Sequence, residues 1–115
     1  MNAIKLIQQH GIDKARELLD RLHKLGCPDD MQITVINGMW HRTANGFTYP
    51  DLKRLVESVD LIGKYHSIDH AKNHYNNMRE ALNQYQYENK DIEDLSNELK
   101  QAIADYESIY GGEHV

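Results

Sequence analysis

The sequence predicts a mainly α-helical single domain of about five helices carrying one small β-hairpin. Three observations lead there. Apolar residues recur every three or four positions in several segments with capping residues at their starts, a β-branched run stops at an Asn-Gly pair, and one short phrase occurs twice at what reads as a helix-to-helix corner.

The repeated phrase begins Leu6-Ile7 and passes through Gly11 to Ile12-Asp13-Lys14-Ala15-Arg16. Its second copy begins Leu61-Ile62 and, one residue longer, passes through Ser67 to Ile68-Asp69-His70-Ala71-Lys72. Each copy reads as the end of one helix, a corner and the capped start of the next, and the repeat is too short for a solenoid. It gives an architecture but no chemistry.

In chain order, residues 1–26 form a helical hairpin. Ala3 to His10 places Ile4, Leu6 and Ile7 on one side of a short helix, and Gly11 suits a left-handed terminus. Asp13 is the expected cap of a second helix whose stripe is Ala15, Leu18, Leu19, Leu22 and Leu25, stopped by Gly26 and Pro28. Residues 31–48 form a β-hairpin: Ile33-Thr34-Val35-Ile36, a two-residue turn at Asn37-Gly38, and Met39-Trp40-His41-Arg42 returning beside it. Trp40 is the expected anchor of that ribbon, and Asn45-Gly46 marks a further turn.

Residues 50–110 hold three longer helices able to pack as antiparallel neighbours. Pro50 opens the first, from about 50 to 64, with Leu52, Leu55, Val56, Val59 and Ile62 inward. Asp69 is the expected cap of the next, with Ala71, Tyr75, Met78, Leu82 and Tyr85. After Glu88-Asn89-Lys90 the expected cap is Asp91, and Ile92, Leu95, Leu99, Ala102, Ile103, Tyr106, Ile109 and Tyr110 fill one arc before Gly111-Gly112.

With 40% apolar and 27% charged residues the composition is that of a globular protein, and 115 residues suffice for one modest core. No apolar run approaches the ~20 residues of a membrane span, and the N-terminus lacks a secretory apolar core. A cytoplasmic protein is expected. The single cysteine, Cys27, suits a reducing compartment and reads as a packed residue near a turn.

The net charge of −5 is unevenly spread: 0 over residues 1–30, +1 over 31–68, 0 over 69–90 and −6 over 91–115. The last segment is therefore unsuited to phosphate backbone. The first repeat copy superficially resembles a helix-turn-helix, but Glu17 stands about six positions beyond the turn glycine, where a recognition helix packs an apolar residue. The segment is also electrically neutral, so nucleic acid is not the expected partner.

His70 and His74 lie four apart on a predicted helix with His66 just before it, which invites a metal site. A third protein ligand and the glutamate of the zinc peptidases are missing, so neither a metal nor a cofactor is expected. No nucleophile motif, phosphate loop or dinucleotide fingerprint occurs, and the expectation is a non-enzymatic protein. The candidate partner-binding residues are Asp94, Glu98 and Asp105, which fall along one flank of the last helix, and Trp40 and Arg42 on the hairpin. Most of the seven tyrosines belong to apolar stripes; Tyr65 and Tyr87 do not, and interfaces are enriched in tyrosine.

The run Tyr49-Pro50-Asp51-Leu52-Lys53-Arg54-Leu55-Val56-Glu57-Ser58-Val59-Asp60-Leu61-Ile62, the corner Ile68-Asp69-His70-Ala71-Lys72 and the ending Ala102-Ile103-Ala104-Asp105-Tyr106-Glu107-Ser108-Ile109-Tyr110-Gly111-Gly112 together resemble small accessory proteins of lambdoid phages and enterobacterial prophages. The resemblance implies an intracellular protein of a bacterial host that binds and redirects a host protein, and it brings no catalytic residues. Two competing readings follow from the residues. A nucleic-acid-binding regulator would use Lys53, Arg54 and Lys64, and a metal-dependent enzyme would use His70 and His74. The stripes are equally compatible with a monomer and a homodimer.

Overall fold

The computed structural model describes residues 2–84 and 90–111. These form five helices and one antiparallel two-stranded hairpin: α1 (Ala3–His10), α2 (Ile12–Lys24), β1 (Ile33–Ile36), β2 (Met39–Arg42), α3 (Tyr49–Gly63), α4 (Ile68–Gln84) and α5 (Lys90–Tyr110). The expected mainly helical class is thus the observed one. The expected positions of Tyr85, Tyr87, Glu88, Asn89 and Gly112 lie outside the described residues. Among the described residues no helix is long and apolar enough to cross a membrane.

Both corners start their second helix one residue before the expected cap. Asn2 caps α1, its side-chain oxygen accepting from the Lys5 amide at 2.8 Å. Gly11 then ends α1 and begins α2 at φ 88, ψ 162, a conformation open essentially only to glycine. Asp13 is consequently not the cap but a first-turn residue, where its charge complements the helix dipole and pairs with Arg16 at 2.9 Å. In the second copy Ser67 takes the place of Gly11, its Oγ accepting from the His70 amide at 3.2 Å, and Asp69 moves into the first turn. Asp91 likewise sits within the first turn of α5. Each repeat copy buries one alanine, Ala15 or Ala71, with no exposed surface, which lets the chain pack closely just after the corner.

α2 closes with the paired bonds of a Schellman motif, Cys27 N–H to the Leu22 carbonyl and Gly26 N–H to the His23 carbonyl. The stripe therefore ends at Leu22. Leu25, expected inside, is the C-cap and is 65% exposed.

The hairpin has the expected register, Ile36 opposite Met39 and Val35 opposite Trp40, around Asn37 and Gly38 at φ 53 and 78. After a bend at residues 44–46 the chain returns to β1, and Ile33 and Phe47 exchange backbone bonds of 2.8 and 2.9 Å. Gly46 is required there because a Cβ would strike the Ile33 carbonyl. The bridge gives the marginal ribbon a third backbone partner, and both Ile33 and Phe47 are buried. Thr48 caps α3 reciprocally with Asp51, each side chain meeting the other's amide at 3.3–3.5 Å.

The chain divides into two compact units, residues 1–56 with 108–115, and residues 57–107. In the first, α1 packs on α2, and the buried residues include Leu6, Ile7, Leu18, Leu22, Leu52 and Ile109. Gln8 Nε2 donates to the Ile109 carbonyl at 2.9 Å, holding α1 to the end of α5. In the second, Ile62, Ala71, Met78, Leu99, Ala102 and Ile103 form the core, with Tyr75 and Tyr106 packed against it as half-buried residues.

Candidate protein-interaction surfaces

The acidic helix α5 presents less acid than its sequence implies. Asp91 and Glu93 occupy the first turn, where the helix dipole accounts for them, and Glu107 pairs with Lys72 at 3.3 Å. Asp105 is only 5% exposed. Its oxygens accept from Ser58 Oγ at 2.7 Å and Gln101 Nε2 at 3.0 Å, so it serves the interior of the second unit and is corrected from a surface contact to a buried acceptor. Asp94 and Glu98 remain exposed, four residues apart.

Between them stands Leu95, 44% exposed although it shares the i, i+4, i+7 stripe of the buried Leu99 and Ala102. Ser96 is instead fully buried, its hydroxyl donating to the Glu93 carbonyl at 2.9 Å. The length of α3 explains the exchange. Ser58 meets Asp105 and Ile62 shares a core with Leu99 and Ala102, so the two helices run in opposite directions. Beyond Ser58, α3 has five residues left, to Gly63, about 7.5 Å of helix at ~1.5 Å per residue. Beyond Asp105, α5 continues back to Lys90, three times as far. The flank of α5 that α3 covers at Asp105 is therefore uncovered at Leu95.

The hairpin residues Trp40 and Arg42 belong to the first unit. By strand alternation they share one face with Ile33 and Val35, while Ile36 and Met39 lie on the other face as an exposed apolar pair flanking the turn. Arg42 is exposed and Trp40 half-buried. Trp40 and its cross-strand partner Val35 form one wall of a groove of about 180 Å³, floored by Leu6 and Leu18. Its rim carries His10, Lys14, Glu17 and Arg21, which follow one another at helical spacing across the first corner. Glu17, which breaks the helix-turn-helix pattern, is exposed on this rim and leaves the hollow beside it unfilled.

The histidines do not gather as the metal reading requires. His70 neighbours His66, with ring centroids 5.3 Å apart, while His74 Nδ1 shares a 2.7 Å hydrogen bond with the Tyr65 hydroxyl. Among the described residues no group of three or more His, Cys, Asp or Glu side chains is arranged to hold a metal ion. That hydrogen bond also gives Tyr65 a structural place, at the edge of the second core.

Leu95 and the groove were not foreseeable from residue pattern, because each depends on where a neighbouring element ends. The exposed pair Ile36 and Met39 had a visible signal: two apolar residues directly flanking a two-residue turn have nothing opposite them but each other. No protein-family model, no curated protein and no solved structure matches this chain.

Proposed function

We propose that this chain is a small non-enzymatic accessory protein, of the phage and prophage kind its sequence resembles, that acts in the cytoplasm of a bacterial host by binding and modulating a host protein. The contact surface is the exposed stretch Asp94-Leu95-Glu98 of α5. The observation that carries this reading is Leu95, a large apolar side chain left 44% exposed on a helix whose adjoining stripe is buried, with an exposed carboxylate on each side. An apolar side chain with charged residues beside it fits the apolar-core, polar-rim arrangement of protein interfaces, and the acids favour a basic partner surface. Asp105 supports the interface only indirectly, by holding α5 against α3.

Affinity purification from an enterobacterial lysate tests the reading, comparing the wild-type chain with Leu95→Ala and with Asp94→Lys/Glu98→Lys. A stoichiometric host protein retained by the wild type and lost from both variants, whose helical circular dichroism is unchanged, is the expected result. Equal retention by all three removes this face from the interaction.

A further inference from the structure

We propose that the groove of the first unit is a separate docking site, of opposite polarity, for an acidic segment of a partner protein that inserts one bulky apolar side chain beside Trp40. Its dimensions argue for a side chain: about 180 Å³ is close to the ~150 Å³ apolar cavity that accepts a benzene ring and well below the ~300–1,000 Å³ of small-molecule pockets. Leu6, Leu18, Val35 and Trp40 supply apolar walls.

The rim selects the charge of what enters. Lys14 and Arg21 are cationic, His10 adds a polar imidazole, and Glu17 is the single acid. Glu17 neutralises little, since its 3.4 Å pair with Lys14 has both side chains about two-thirds exposed to water. Arg21 forms no side-chain ion pair or hydrogen bond among the described residues, leaving its planar donor fork available for a carboxylate. Protein is favoured over nucleic acid because the apolar walls take up one side chain and the first thirty residues carry no net positive charge.

Trp40 is the only tryptophan, so its fluorescence reports the groove directly. The probes are a short synthetic peptide with one leucine flanked by glutamates, the same peptide with alanine for leucine, and one with lysines for glutamates. The glutamate–leucine peptide is expected to give a saturable blue shift that weakens about tenfold or more in high salt and in Arg21→Glu. Arg21→Gln, which keeps the stem, is expected to weaken it less. The alanine and lysine peptides are expected to give no saturable shift. The proposal is overturned by no saturable shift up to about 1 mM peptide, by an equal response to the lysine peptide, by a response to a single-stranded oligonucleotide in place of the peptide, or by a peptide-free shift that grows with protein concentration, which assigns the groove to a second copy.

Discussion

Ser58 of α3 donates a 2.7 Å hydrogen bond to Oδ2 of Asp105 on α5, and both side chains are buried in the second unit. A carboxylate withdrawn from water must be met by donors. Gln101 supplies one from the same helix, four residues away, whereas Ser58 supplies one from another helix and so sets how α3 lies along α5.

Ser58→Ala removes that donor without adding bulk, and a loss of about 1–3 kcal/mol in urea unfolding is expected. Combining it with Asp105→Leu replaces a polar pair by an apolar one and should recover part of the loss. An unfolding midpoint unchanged in Ser58→Ala would mean that the bond contributes nothing net.

Gly46→Ala places a Cβ against the Ile33 carbonyl and the Thr43 methyl, so backbone must move. The expected result is a destabilisation of about 3 kcal/mol, at the upper end of ordinary single-site effects. Amide exchange should locate it, with the Ile33 and Phe47 N–H groups losing protection first.

Leu95 and Ser96 should respond oppositely to substitution. Leu95→Lys changes an exposed position and should shift stability by no more than about 0.5 kcal/mol. Ser96→Leu forces a larger side chain into a fully buried site and should destabilise by about 1–3 kcal/mol. Paired denaturation curves decide it, and a reversed order would place the α5 stripe a residue away from where it is described.

The Cys27 thiol is held above the ordinary thiol range by desolvation and then by the negative charges of Asp29 and Asp30. A raised pKa means less thiolate at a given pH, and the thiol also donates to the Pro28 carbonyl at 3.5 Å. Alkylation by iodoacetamide near neutral pH should be slower than for a free cysteine. Asp29→Asn/Asp30→Asn should move the rate–pH midpoint downward and speed the reaction, and a midpoint that stays put would exclude the two carboxylates as a cause.

The local elements were legible from residue pattern because each is decided within a few positions. Asn37-Gly38 specifies its turn from two residues, Pro50 marks the first turn of α3, and the twice-used corner separates one helix from the next in both copies. Even there, the aspartate after each corner, at Asp13 and Asp69, misleads, since a carboxylate is favourable both at a cap and one turn inside it.

What lay beyond local pattern was decided by where neighbouring elements stop. Periodicity places Leu95, Leu99 and Ala102 on one stripe and says nothing of how far along the stripe another helix reaches. Because α3 ends at Gly63, Leu95 is left in water while Asp105, an acid that composition alone puts on the surface, is enclosed by Ser58. The same holds for the groove, which exists because residues 6–21 and a hairpin around residue 37, distant in sequence, meet without filling the space beside Glu17. Helical period and turn chemistry are properties of the chain at short range, whereas burial is a property of pairs of elements, and only their assembly determines which side chains remain to meet a partner.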